Sequence, residues 1–291
     1  MLKKFIKSLL PLIVVATIRK YRKKKRFAKR YSYNSGKSFF KEVDTFGVPF
    51  GISINPFLNS GVDEVIQEAG VWEPEIGTQI KKYLSGGGVF LDIGANIGYH
   101  SLFAARLLGE KGKVYSFEPQ SAIYEQFLES VEKNSLTNVT VYNIALSDHL
   151  GNETLYIREE NSGGSTLLSL PQMESFHVEY QVSVSLATLD SYLKTFETVT
   201  LIKIDVEGYE YEVFKGGEEL IDTYHPTIIM EFSPVFYVQD YEKKPKELIQ
   251  FLSNKGYIFH DVNEKEINLY EWLAKDNNKN SQIDIVCKYK K

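Results

Sequence analysis

"FLDIGANIGYHS", Phe90 to Ser101, decides how the rest of the chain is read. An apolar run reaches Asp92, glycines follow at Gly94 and Gly98, and helical spacing resumes at once with Leu102, Phe103, Ala105, Leu107 and Leu108 until Gly109. That grammar predicts a strand, a tight turn and a buried helix. Open parallel sheets bind ligands beyond the carboxyl ends of their strands, and the first strand-to-helix turn usually lines the crevice. Lacking Cβ atoms, Gly94 and Gly98 let a ligand approach the main chain and let the helix pack tightly on the strand. The helix N-terminus is expected to offer free N–H groups to a carboxylate or phosphate.

The same alternation spreads outward from this stretch. Apolar, β-rich runs occur at "VFLDI" (89–93), "KVYSF" (113–117), "VTVYNIAL" (139–146), "TLIKID" (200–205) and "TIIMEF" (227–232). Between them lie helical patterns such as "PQSAIYEQFLESVEKN", and "KPKELIQFLSNKG" carries Pro245 near its start and Gly256 past its end. Continuously apolar strands alternating with helices predict a mainly parallel α/β sheet covered on both faces. The pair "GYIFHDV" and "IDIVCKY" predicts a closing hairpin, and residues 151–193 predict extended arms around a Gly and Ser turn.

Charge divides the chain. The net value of −4 hides twelve Lys or Arg and no acid in residues 1–30, which leaves 22 basic against 38 acidic residues for the remainder. A body that acidic does not grip a phosphate backbone broadly, so no nucleic-acid partner is expected. Residues 1–35 read as a basic extension, 36–85 as an accessory segment ending in a helix, and 86–291 as the main domain with its insertion at about 151–193. "FIKSLLPLIVVATI" is shorter than the roughly 20 residues a spanning helix needs, and "RKYRKKKRFAKR" after it argues for retention in the cytoplasm. Leu2, Phe5, Ile6, Leu9 and Ile13 share one helical face, which suits peripheral contact with a cytoplasmic membrane surface through residues 1–30, or equally packing on the domain. Cys287 is the single cysteine, so no intrachain disulfide forms.

Glu118 ends the second strand in "SFEP", where a carboxylate can accept hydrogen bonds from both hydroxyls of a ribose. A nucleoside-containing cofactor is therefore expected. Asp92 beside the turn would repel a dinucleotide pyrophosphate but suits a molecule bearing ammonium and sulfonium charges. Asn96 also stands where a G-x-G-x-x-G fingerprint has its second glycine. These residues favour S-adenosylmethionine over NAD.

"VFLDIGANIGYHSLFAARL", "VYSFEPQ", "NIALSD", "TLIKIDVEGYEYEVFKGG" and "IIMEF" together resemble the blocks of the FkbM-type family of S-adenosylmethionine-dependent methyltransferases, over roughly Trp72 to Phe232. The resemblance implies a Rossmann-like class I methyltransferase fold, with a seven-stranded, mostly parallel sheet whose last strand is antiparallel. Added to it here is an N-terminal extension expected to be helical. The resemblance implies O-methylation of a hydroxyl, often on a sugar or sugar-bearing metabolite. It carries cofactor roles to Asp92, Gly94, Asn96, Gly98 and Glu118, and to Asp148 near the adenine.

Methyl transfer to a hydroxyl draws mostly on positioning, and a general base adds about 10² to 10⁴ in rate. Asp205 and Glu207 end the fourth strand in "IDVEG" and Glu231 ends the fifth, so all three are candidate catalytic acids. The plainer roles are an Asp205 that holds the cofactor's amino group and a Glu207 that caps the next helix. Together the three could hold a divalent cation, although no spacing demands one. His100 either meets cofactor or substrate or packs in its helix. Gly163, Gly164 and Ser165 of the turn "NSGGST", with His177 in the same insertion, are the candidate acceptor-binding residues. The competing readings are an NAD-dependent oxidoreductase on a related fold and a membrane-surface scaffold without turnover.

Overall fold

The computed structural model describes residues 38–55, 60–158, 162–168, 178–236, 243–275 and 281–290. The basic extension and His177 lie outside the described residues. The described chain opens as a hairpin, β1 (Phe39–Thr45) against β2 (Val48–Ile54), in the accessory segment for which the sequence had predicted only a closing helix; the expected helical extension lies outside the described residues. The turn explains the difference. Phe46 and Gly47 both take positive φ, 54° and 79°, which matches the twist of paired strands, and Asp44 accepts the Gly47 N–H at 2.8 Å. Two helices follow, α1 (Ser60–Ala69) and α2 (Pro74–Leu84), the second opened by a proline whose missing N–H costs nothing there.

The main sheet is built from β3 (Gly88–Ile93), β4 (Gly112–Phe117), β5 (Val139–Tyr142), β9 (Leu201–Ile204), β10 (Thr227–Phe232), β11 (Tyr257–Asp261) and β12 (Ile283–Tyr289). Their order across the sheet is β11-β12-β10-β9-β3-β4-β5. Every pair from β10 to β5 is parallel, and β12 runs antiparallel to both of its neighbours. This is the seven-stranded Rossmann-like class I methyltransferase fold. The strand order reverses at β3, which has β4 on one side and β9 on the other, so a crevice opens above the ends of these three strands.

Successive side chains of a strand point to opposite faces, and β3 feeds two cores accordingly. Leu91 and Ile93 join Val213 and Phe214 of α5 (Glu210–Lys215), Leu220 and Ile221 of α6 (Glu218–Tyr224) and Leu248 of α7 (Lys244–Asn254). Phe90, on the other face, joins Ile76 and Ile80 of α2, Leu102 and Phe103 of α3 (Tyr99–Leu108) and Phe127 of α4 (Ser121–Lys133). Phe90 is fully buried, which stabilises by about 1.5–3 kcal/mol relative to exposure.

The run Val139–Leu146, expected as one strand, divides. Asn143 donates to the carbonyls of Glu118 and Pro119 at 2.9 and 3.0 Å, which draws the chain toward the crevice after β5. β6 (Ala145–Leu146) then enters a second sheet of order β6-β8-β7, in which β7 (Gly151–Arg158) and β8 (Val178–Ala187) form an antiparallel arm. A short helix, α8 (Leu269–Leu273), sits between β11 and β12.

Candidate functional site

Hydrogen bonds within the protein fix the bend after β3. Gly94 and Ala95 N–H both donate to the carbonyl of Phe117, at 3.0 and 3.1 Å, and Gly98 N–H donates to Ala95. Asn96 N–H donates to Glu118 Oε2 at 2.9 Å, and Ile97 N–H to Asn96 Oδ1 at 2.8 Å. All five N–H groups from residue 94 to 98 are thus engaged. The expectation of free donors concerned the helix that starts at Tyr99, and the bend before it spends its own N–H groups within the protein. Asn96 itself takes φ 53°, a left-handed setting that asparagine tolerates better than most residues.

The two glycines serve close packing. A Cβ on Gly94, at φ 77°, would stand 1.9 Å from the Asp205 carbonyl oxygen, so the bend can abut the end of β9 only without one. A Cβ on Gly98 would meet the Phe127 ring at 2.1 Å, which makes that glycine the contact between α3 and α4. Gly94 faces the crevice as well; Gly98 is absent from its walls.

The crevice encloses about 610 Å³ including its open mouth. Gly94 and Asn96 of the bend, Glu118, Pro119, Gln120 and Ile123 after β4, Ala145 and Leu146 of β6, and Leu155, Ser165 and Leu167 of the arm line it, with Asp205 and Tyr209. Small-molecule sites have this mix of apolar walls with few polar groups. Glu118 is 8% exposed and held from both ends, by Asn96 N–H on Oε2 and Gln120 N–H on Oε1 at 2.8 Å. Burial pushes its carboxyl up to about 7, although the two N–H donors pull the other way. Each oxygen keeps acceptor capacity for a further donor such as a hydroxyl.

Asp92 is placed differently from expectation. It is 1% exposed beneath the bend, accepts Ser101 Oγ at 2.5 Å, and lines no part of the crevice. Its Oδ1 has no hydrogen-bond partner among the described residues. Its charge acts on Lys203, which is 6% exposed. Burial opposes charge on that ammonium, but the carboxylates of Asp205, Asp92 and Glu73 outweigh it and raise the lysine above its ordinary value.

Asp205, Glu207 and Glu231 converge as predicted from their strand ends: one carboxylate oxygen from each lies within 4.8 Å of the others. Such spacing suits a shared proton or a hard cation. Burial, with Asp205 adding to it, pushes Glu231 up to about 8, and burial with the charges of Asp205, Glu231 and Glu210 holds Glu207 well above the usual carboxylate range. Gln282 Nε2 donates to Glu231 Oε2 at 2.9 Å and reaches Glu207 Oε2 at 3.3 Å, and Ser233 Oγ donates to Glu231 at 2.8 Å. Glu207 takes φ 52° and does not begin the following helix, whose N-cap is Tyr209.

Ser165 reaches the crevice wall, while Gly163 and Gly164 form the turn beside it, where a Cβ on Gly164 would meet the Arg158 side chain. Thr166 Oγ1 donates to the Glu207 carbonyl at 2.8 Å and ties the arm to the acidic cluster. Asp148 lies elsewhere. It is exposed, paired to His149 Nδ1 at 2.7 Å, and absent from the crevice walls, which Ala145 and Leu146 help to form. Sequence reasoning quoted the stretches that hold Thr166 and Tyr209 without giving either a role, and it did not single out Gln282, whose place depends on how the chain enters β12.

The crevice at the strand-order reversal, with one carboxylate at the end of β4 and three acids at the ends of β9 and β10, sits on the sheet of a class I methyltransferase. Residues 92–259 match the Methyltransferase FkbM domain, and the chain belongs to that family. It is 29% identical over 156 residues to Methyltransferase sdnD of Sordaria araneosa, covering 44% of this chain and 60% of that protein. It is 26% identical over 145 residues to Methyltransferase 1 of Beauveria bassiana, covering 44% of this chain and 58% of that one. The chain thus spans about 60% of the length of these curated relatives. A crystal structure of Methyltransferase FkbM from Methylobacillus flagellatus KT superimposes with TM-score 0.41 at 15% identity, over 70% of this chain and 44% of that one. Among the described residues no helix is long and apolar enough to cross a membrane.

Proposed function

We propose that this protein transfers the methyl group of S-adenosylmethionine to a hydroxyl on a glycan or glycosylated metabolite. The observation that carries the reading is Glu118, which lines the crevice beside the bend at residues 94–98, a bend whose own five N–H groups are engaged within the protein. A pyrophosphate needs such donors. A nucleoside with a cationic tail does not, and it gains from the surrounding carboxylates. The residues present therefore fit S-adenosylmethionine better than NAD.

When bound, the cofactor supplies a carbon made electrophilic by its sulfonium. Glu118 accepts the ribose hydroxyls, and Ile123, Ala145 and Leu146 give the base an apolar slot. Ser165 and Leu167 cover the opposite side and exclude water. The acceptor approaches from the arm, where Gly163, Gly164 and Ser165 leave room for a hydroxylated ring. Its proton passes to the Glu207 and Glu231 pair, whose affinity for protons near neutral pH suits a general base. Lys203, beside Asp205, offsets part of the negative charge that the acids carry before the proton arrives.

Thermal shift distinguishes the cofactors. S-adenosylhomocysteine at 100 times its Kd is expected to add about 2.7 kcal/mol of stability, and NAD none. A response to NAD alone would overturn the reading. The acceptor is tested with labelled cofactor and mass spectrometry, where the expected product is a glycan heavier by one methylene.

A further inference from the structure

Among the described residues β2 has no strand on its outer edge, and side chains take that place. Gly51 N–H donates to Asn134 Oδ1 at 2.8 Å, and the Gly51 carbonyl accepts Asn134 Nδ2 at 2.6 Å. Ser53 N–H donates to Ser130 Oγ at 2.8 Å, and the Ser53 carbonyl accepts Gln126 Nε2 at 2.7 Å. Gln126, Ser130 and Asn134 follow at four-residue intervals along α4 and its C-cap, so they share one side of that helix. These rungs are neutral at any pH. The last is not: Asn55 N–H donates at 2.8 Å to Oδ2 of Asp63, which α1 brings to the end of the ladder.

Asp63 is fully buried. Its second contact is Gln126 Nε2, which stands 3.3 and 3.4 Å from the two carboxyl oxygens but closer to the Ser53 carbonyl. Gln126 Oε1 has no hydrogen-bond partner among the described residues, so nothing else fixes that amide. A carboxyl buried without a cation stays neutral until water can reach it. Burial accordingly pushes Asp63 up to about 7, against the pull of Asn55 and Gln126. The other chargeable groups of the packed elements leave it alone. Glu64 and Glu68 lie on α1, and Glu125, Glu129, Glu132 and Lys133 on α4, where Lys133 pairs with Glu129. On β1, Lys41 donates to the Ile66 and Gln67 carbonyls at the far end of α1, and β2 carries no charge. Neither these nor Arg158, beside the arm turn, acts on Asp63.

Ionisation therefore gains most by bringing Asp63 to water, and the way there is separation of α1 from β2 and α4. The arm turn Ser162–Gly164 packs against α1, and Ser165 after it lines the crevice. We infer that Asp63 is a proton-operated latch: as the neutral acid it closes the ladder that docks the hairpin and α1 on α4, and its ionisation releases α1 with the arm turn that rests on it. The latch does not depend on which cofactor fills the crevice.

Hydrogen exchange of the full chain, read by mass spectrometry at about pH 6 and about pH 8 and corrected for the intrinsic effect of pH on exchange, tests it. The opening constant of residues 39–55 and 60–69 is expected to rise about tenfold over that interval, the ratio given by a carboxyl at about 7 when closed and 3.8 when open. β10 and α7 are expected to respond less. Asp63→Asn keeps an acceptor for Asn55 and cannot ionise, so it should abolish the rise in those segments and in 162–168 while leaving the response of β10 and α7 as it was. Should that variant fail to fold, the unaltered protein decides. A rise concentrated in the hairpin, α1 and the arm turn supports the latch; no rise there, or one equal throughout the main sheet, overturns it. A rise that survives Asp63→Asn overturns it as well.

Discussion

Lys203 Nζ lies 3.3 Å from Asp205 Oδ2, two residues further along β9 and just past its end. Side chains two apart on a strand share a face, so the pair brings a buried cation to the edge of the crevice next to the acid cluster. The lysine does not neutralise the cluster. Burial still holds Asp205 above its ordinary value, with Glu73 and Asp92 adding to it, because one ammonium serves three carboxylates.

Asp205→Asn is expected to cost stability as well as rate. Losing one charged partner of a buried ammonium costs about 1.5–3 kcal/mol, reduced here because Asp92 and Glu73 remain. Urea denaturation at neutral pH measures it. An unchanged midpoint would show that Lys203 does not depend on Asp205.

Glu231→Gln is expected to lower kcat by about 10² to 10⁴ while leaving the Kd of S-adenosylhomocysteine within about twofold. In the unaltered enzyme the rate is expected to rise with pH toward a limb near 8, the value to which burial pushes this carboxyl. The variant should lose that limb. If it is retained, the proton goes elsewhere.

Stability of the free protein should fall as pH rises. Glu118 and Glu210 are pushed by burial up to about 7, and Glu231 to about 8, from an ordinary value of 4.5. Between those limits the folded state binds more protons than the unfolded one, so the stabilisation is complete at the acid end and lost as pH climbs through the folded values. Melting temperature is expected to be lower at about pH 8.5 than at about pH 6. Glu231→Gln should flatten the slope, and an unchanged slope would exclude this acid as a source.

Gly94→Ala is expected to be severe. The new methyl would collide with the Asp205 carbonyl at a φ of 77°, and L residues held in that region cost of order 1–3 kcal/mol before the clash is counted. Circular dichroism melts check the loss. A variant as stable as the parent would mean that the bend does not abut β9 closely.

Glu118→Ala removes the acceptor for two main-chain N–H groups as well as for the ribose, so it should weaken S-adenosylhomocysteine and 5′-methylthioadenosine alike. Calorimetry on both ligands checks it, and full retention of nucleoside binding would remove Glu118 from the proposed ribose site.

Much of the fold was legible because β3, β4, β9 and β10 are continuously apolar and the helices between them are periodic. The hairpin at residues 39–54 was not, because its signal rests on positive φ at Phe46, which sequence does not advertise. Likewise the strand pattern runs unbroken through Asn143, where a side-chain bond to the Glu118 carbonyl redirects the chain. At the site, Asp205, Glu207 and Glu231 were found from their positions at strand ends, which fix direction. Asp92 and Asp148 were misplaced because a motif gives a residue's address but not whether its side chain faces the crevice, a neighbouring helix or solvent. Gln282 was invisible, since an amide arriving from the last strand has no local pattern.

The hydrogen bond from Thr166 to the Glu207 carbonyl couples two tasks that a modular enzyme would keep apart. On the proposed function, the arm that would receive the acceptor is stitched to the backbone of an acid that would take the proton, so reshaping one would reset the other. Diversification of acceptor range in this scaffold would then proceed by joint replacement of arm and strand end, and a grafted arm lacking a hydroxyl at position 166 would bring its guest to a misaligned acid.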